Sequence, residues 1–286
     1  MKKIRYFVEF LIIIFLLVIF KILGFKLASS LGGLIGRSVG PLFRSKKKIL
    51  SNISKALPKI GEKNTELIVK KMWENYGRIL SEYMFIKNFR NSKYKKFLTI
   101  EGQEILNELK DSKEPVVFIS GHFNNFELMA MQIEKSGINL AAIYRPLNNI
   151  FLNKIMEKIR TKYICRKQIK KGGSGTRELL ESFKNNYSIA IMIDQRVSES
   201  IKVDFFNQKA STTTIPAQLF KKFGSKIVPI YIERINGVYF KMTVSRPIIF
   251  EKESTIEEIT LKLNKWLEKM ILINPDQWIW SHDRWK

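Results

Sequence analysis

The sequence predicts an α/β fold: a mainly parallel or mixed central sheet flanked by helices, preceded by a helical N-terminal region and a membrane helix. Three observations carry this. From about residue 114, short apolar runs alternate with stretches of helical periodicity, the pattern of a sheet covered on both faces. Residues 25–110 show helical spacing and little else. Residues 7–23 are almost continuously apolar, with only Glu9 and Lys21 charged. The expected division is therefore a membrane anchor over 1–24, a helical region over 25–110 and an α/β domain over 111–286.

The apolar run of 7–23 spans about 25 Å at helical rise, barely the thickness of a hydrocarbon core. Lys2, Lys3 and Arg5 before it would also suit a secretory signal. However, the nearest small-residue stretch, Ala28-Ser29-Ser30, lies beyond Lys26, so a retained anchor is expected, either a short span or a helix lying in the interface. The competing reading is a buried helix of a soluble core. Leu31, Leu34, Ile35 and Val39 lead to a basic patch, Arg44-Ser45-Lys46-Lys47-Lys48, which suits anionic headgroups or a solvated helix face. Leu50, Ile53 and Leu57 recur at helical spacing until Pro58. A further helix opens at Asn64-Thr65-Glu66, with Leu67, Val69, Met72, Trp73, Tyr76, Ile79 and Leu80 as its apolar face.

In the α/β domain, strands are expected over 116–120, 140–144, 188–193, 226–232 and 239–244. Helices are expected over 126–137, 149–162, 176–184, 213–223 and 256–273, the last behind a Ser254-x-x-Glu257 start. Lys171-Gly172-Gly173-Ser174-Gly175 is glycine-rich but lacks the order of a nucleotide-binding loop. No metal-ligand cluster is spelled out, and no cofactor or metal is expected.

Lysine and arginine number 50 against 26 acids, a formal net charge of +24. Such an excess points to polyanions: nucleic acid, anionic lipid or an acidic protein. The single Cys165 excludes an intramolecular disulfide and is expected to be a small buried side chain rather than a nucleophile.

The chemistry concentrates at Gly121-His122-Phe123-Asn124-Asn125-Phe126-Glu127, which follows an expected strand and precedes an expected helix. An imidazole beside a carboxylate is the minimum equipment for taking a proton from an alcohol. The spacing alone is weak, since 26 acids in 286 residues give a histidine a carboxylate at that offset about one time in eleven. Glu127 has a structural reading too, as the third residue of a helix capped by Asn124.

Several segments together resemble the bacterial lipid A biosynthesis late acyltransferases, the lauroyl/myristoyl group. Asn52-Ile53 with Leu57-Pro58 is similar to the family's early Asn-Leu…Phe-Pro segment, and His122-x4-Glu127 to its His-x4-Asp/Glu motif. Tyr144-Arg145-Pro146-Leu147-Asn148-Asn149 resembles its Tyr-Arg-Pro…Asn-Pro box. Asp194-Gln195, Asp204-Phe205-Phe206 and Ala210-Ser211-Thr212-Thr213 resemble a following region, and Trp278 to Lys286 its Trp- and His-containing tail. Ile150, Arg196 and Asp283 depart from that pattern.

The resemblance implies a glycerolipid-acyltransferase-like fold and transfer of a fatty acyl chain from acyl carrier protein to a hydroxyl of a phosphorylated lipid A precursor. It implies an enzyme at the bacterial inner membrane with its catalytic domain on the cytoplasmic face, and a general base, His122, oriented by Glu127. A thioester is already activated, so base, oxyanion donors and positioning suffice. Arg145 and Asp194 both end expected strands and are candidates for substrate binding, the alternative being a salt bridge between them. Arg160, Arg177 and Arg284 are further candidates for anion contacts. His282 is expected to pack or sit at an interface. Phe205 and Phe206 are expected to pack in the core, with an acyl groove as the alternative. The competing functions are a glycerol-phosphate-type or other glycolipid acyltransferase, an inactive scaffold of the same fold, and a membrane-anchored nucleic-acid-binding protein. The last lacks a recognition helix, an RNA-binding aromatic signature or a zinc pattern.

Overall fold

The computed structural model describes residues 2–197 and 200–286. The N-terminal part comprises α1 (Lys2–Val39), α2 (Lys46–Ala56), α3 (Glu62–Glu82) and α4 (Ile86–Arg90), then β1 (Leu98–Glu101) and α5 (Gln103–Ser112). There follow β2 (Val117–Ser120), α6 (Glu127–Lys135), β3 (Leu140–Tyr144), α7 (Ile150–Ile159), β4 (Lys167–Lys170), α8 (Gly173–Lys184) and β5 (Ser188–Met192). The chain continues through β6 (Ile201–Phe205), β7 (Gln208–Thr212), α9 (Ile215–Phe223), β8 (Ile227–Asn236), β9 (Tyr239–Val244) and α10 (Ile256–Ile273).

Seven strands form one mixed sheet in the order β1-β9-β8-β2-β5-β3-β4. From β8 to β4 all neighbours are parallel, while β9 is antiparallel to β8 and parallel to β1. The central strand β2 is buried along its whole length, as a strand covered on both faces must be. The five expected strands are all present, and β8 runs on to Asn236. The sheet edges β1 and β4 were not expected, because edge strands are short and charged and carry no clean apolar run. The β6–β7 hairpin was hidden too. Its two-residue turn, Phe206-Asn207, has positive φ at both positions (52° and 57°), a conformation normally advertised by glycine.

Local starts also differ from expectation. Helix α6 begins at Glu127 with Phe126 as N-cap, so Asn124 and Glu127 do not form a capping box. Asn124 instead adopts φ 41° inside the preceding turn. The box on α10 is Thr255 with Glu258, one residue later than the Ser254 pattern indicated. The glycine-rich segment is the first turn of α8, and α7 continues from Arg160 to Ile164 as a π-helical turn.

Helix α1 is long and apolar enough to cross a membrane, and it breaks at Gly24 (φ 74°, ψ 168°). Beyond the break it packs on α3 with backbones in contact. A Cβ on Gly77 would lie 1.9 Å from the Gly32 carbonyl oxygen, and one on Gly36 2.4 Å from that of Trp73. Glycines four apart permit this approach, as in small-residue helix packing within membranes. A buried carboxylate then ties the layers together. Glu82 of α3 accepts from Arg234 of β8 (2.7 Å), Ser29 of α1 (2.7 Å) and Asn125 in the turn after β2 (2.9 Å).

The C-terminal tail folds back across the sheet. Asn52 of α2 donates to the carbonyls of Trp280 (2.8 Å) and His282 (2.7 Å), and Arg284 is buried against Ser211 O and Thr212 Oγ1. Asp283 pairs with Lys48 at 3.4 Å, which gives the acid at that position a partner.

Candidate active site

Parallel pairing decides which side chains meet. Ser120 at the end of β2 is in register with Met192 at the end of β5, and the pairing continues through Ile193 N–H to Ser120 O at 2.9 Å. Two residues further along each strand stand His122 and Asp194. Arg145 follows β3 and Lys171 follows β4, so four polar residues gather at the carboxyl edge of adjacent strands, where sites form in such sheets.

Asp194 is fully buried and holds His122 twice, through the backbone N–H (2.8 Å) and through ring Nδ1 (2.8 Å). The Trp278 indole donates to the same carboxylate at 2.9 Å. Burial alone would push the Asp194 carboxyl up. The charge of the His122 ring and the hydrogen bonds from His122 and Trp278 outweigh it and hold the group at about 2, below its ordinary 3.8. An ionised Asp194 accepts from Nδ1–H, so the neutral ring keeps its lone pair on Nε2. Among the described residues Nε2 makes no hydrogen bond, and the ring borders the main cavity.

Glu127, expected to orient His122, makes no hydrogen bond or ion pair with it among the described residues. The intervening residues form an irregular turn rather than helix, so five residues in sequence do not bring the two together. Glu127 instead accepts from Arg160 Nε (2.9 Å) and Nη2 (2.5 Å) and from the Tyr83 hydroxyl (3.1 Å). Burial opposes the charge on Arg160, but Glu127 more than offsets it and the guanidinium pKa is raised. Burial, then the Glu127 charge, raises the Tyr83 phenol. Arg160 also lies 5.7 Å from the centre of the Tyr144 ring. Asp194, expected to bind substrate, has its oxygens occupied by His122 and Trp278 and is closed off from solvent. It stands behind the histidine, and no salt bridge joins it to Arg145.

The cavity has a volume of about 610 Å³ and is lined by His122, Glu127, Arg145, Arg160 and His282, with Arg44 and Lys48 also at its wall. The basic patch after α1 therefore borders the cavity. Burial, then the Arg145 charge, depresses the Lys171 ammonium, and both cations line the cavity. Burial lowers His282 to about 4, so it is neutral at pH 7, and its Nε2 accepts from Arg196 N–H at 3.2 Å.

Other candidates fall elsewhere. Arg177 lies on α8 and does not line the cavity; Arg284 is spent on the tail. Phe205 is core, its carbonyl accepting from the Trp285 indole N–H and its ring lying 4.8 Å under the Arg284 guanidinium. Cys165 is buried, its thiol pushed up to about 12 by burial and hydrogen-bonded to Leu140 O, so it is inert. The residues missed from the sequence are Trp278 on Asp194, Tyr83 on Glu127 and Gln277, whose side chain accepts from Asn124 at 2.9 Å. Their sequence separations of 84, 44 and 153 residues leave no local signal.

A histidine with an ionised partner behind it and an open, cation-lined cavity before it is the equipment of an enzyme that activates a hydroxyl beside an acidic ligand. Over residues 1–286 the chain matches the family described as bacterial lipid A biosynthesis acyltransferase, and it belongs to that family. It is 23% identical over 251 residues to lipid A biosynthesis acyltransferase 2 of Shigella flexneri, covering 86% of this chain and 79% of that protein. The same identity extends over 251 residues of the lipid A biosynthesis myristoyltransferase of Escherichia coli K12 (86% and 77%). It extends over 272 residues of the E. coli lauroyltransferase (92% and 85%). The chain is therefore an acyltransferase of lipid A biosynthesis.

Proposed function

We propose that the enzyme transfers a fatty acyl group from the thioester of acyl carrier protein to a hydroxyl of a phosphorylated lipid A precursor, at the cytoplasmic face of the inner membrane. The observation that carries this reading is the His122–Asp194 pair at the edge of a cavity lined by Arg145, Arg160 and Lys171. His122 Nε2 takes the proton as the hydroxyl oxygen attacks the thioester carbonyl. The tetrahedral oxyanion collapses, the C–S bond breaks, and the imidazolium returns its proton to the leaving thiolate. An ester and a free thiol result. Asp194 fixes the ring and supports its transient charge. Glu127 holds Arg160 at the cavity wall, where its guanidinium faces developing or phosphate charge.

The test is direct. Purified protein incubated with acyl carrier protein thioester and lipid A precursor is expected to add one acyl chain by mass. His122→Ala is expected to lower turnover by about 10²–10⁴ at unchanged melting temperature. Near-parental turnover in that variant would show that His122 is not the base.

A further inference from the structure

The apolar segment of α1 is largely exposed, yet it touches the body at two places along its length. Ile4, Val8, Leu11, Phe15, Val18 and Ile22 recur every three or four positions along an exposed stripe, with Phe7 and Ile12 exposed at its margins. On the other side Leu16, Leu17 and Phe20 pack against the core. The far end is also held. Asn149, the N-cap of α7, donates to Tyr6 O at 2.8 Å, and the Phe151 ring lies 5.5 Å from Phe7 and 5.8 Å from Phe10.

These contacts fix where the first turns of α1 can be. Arg145 lines the cavity, and four residues of extended chain reach at most about 14 Å to Asn149. Tyr6 therefore lies close to the cavity, whereas a perpendicular crossing would leave it about 25 Å away in the opposite leaflet. Helix α7 suits the same surface. None of its residues is buried, and its outer row reads Ile150, Lys154, Lys158: one apolar residue toward the α1 end, then two lysines able to reach headgroups.

We infer that residues 2–23 lie along the body in a single leaflet, with the stripe from Ile4 to Ile22 facing lipid and the first turn of α7 beside them. The chain is then seated on the bilayer from one side, with its N-terminus and its α/β domain in the same compartment. This rests on the reading of α1 as a membrane anchor.

Single cysteines test it, because buried Cys165 leaves the parent silent to thiol reagents. Full-length Lys3→Cys and, on α8, Lys184→Cys would be treated with a membrane-impermeant maleimide in spheroplasts and in inverted inner-membrane vesicles. Both positions are expected to label from the same side. Labelling of Lys3→Cys only from the side opposite to Lys184→Cys would overturn the inference in favour of a span. A fluorophore on Phe15→Cys, in phosphatidylethanolamine–phosphatidylglycerol vesicles, is expected to lose roughly half its emission or more to nitroxide lipids, as for a side chain about 5–10 Å below the headgroups. Absence of quenching with the chain still pelleting with vesicles would overturn the lipid-facing stripe alone. Recovery of the full chain in the soluble fraction would overturn the anchor and the inference together.

Discussion

Asp194 and Glu127 are both buried and both paired with a basic side chain that lines the same cavity, yet their surroundings differ in kind. Asp194 is enclosed by one titratable partner and two further N–H donors, and it holds a ring whose other nitrogen makes no hydrogen bond among the described residues. Glu127 faces a guanidinium that cannot lose its proton, together with a phenol. On the proposed mechanism the first arrangement passes a proton and the second holds charge in place. What separates them is not distance along the chain. Asp194 is 72 residues from His122 and touches it, while Glu127 is five residues away and does not.

The largest expected effect comes from the first carboxylate. Asp194→Asn preserves shape but favours the wrong ring tautomer, so kcat is expected to fall by on the order of 10³–10⁴ with KM little changed. Steady-state kinetics check this, and a change confined to KM would reverse the roles assigned to the two acids. Glu127→Gln is expected to act chiefly on stability, by about 3 kcal/mol, because it leaves Arg160 buried without its counter-charge. The double variant Glu127→Gln/Arg160→Met is expected to regain most of that loss in urea melts without regaining full activity. If the double variant is as unstable as the single, the pair is not the unit described.

The smallest effect concerns His282. Its folded pKa, about 4, lies below the ordinary 6.5, so the unfolded chain takes up a proton first. Its stabilising share is complete above pH 6.5 and declines as pH falls from 6.5 towards 4. The parent is therefore expected to lose more melting temperature between pH 7 and pH 5 than His282→Gln does. Asp194, with a folded pKa of about 2, loses its share only as pH falls from about 4 to about 2, outside that window.

The sequence disclosed what is repeated or apolar. The five inner strands, α10, the apolar N-terminal helix and the turn carrying His122 were legible because burial on both faces or on one stripe, or a long apolar run, leaves a pattern. The charged edge strands β1 and β4 were not, nor was the β6–β7 hairpin, whose turn uses Phe206 where glycine would be expected. In the site, His122, Arg145 and Asp194 were each picked out as residues at strand ends. Their mutual arrangement was not, because it depends on β5 inserting between β2 and β3, and strand order is written in no local pattern. Motif spacing favoured Glu127 as the histidine's neighbour, whereas parallel register placed Asp194 there.

The glycine seam between α1 and α3 bears on how this enzyme could be recombined with its relatives. Residues up to Gly24 meet the body mainly through side chains, with the Tyr6 carbonyl on Asn149 a contact that any residue there can supply. From Phe25 to Val39 the fit includes main chain against main chain, with no room for a Cβ at Gly77. A chimera that imports a foreign N-terminal helix should cross over at Gly24, leaving the later half native. One that crosses at residue 40 would need the matching α3 from the same donor, since Gly32, Gly36 and Gly77 form a single interlocking set.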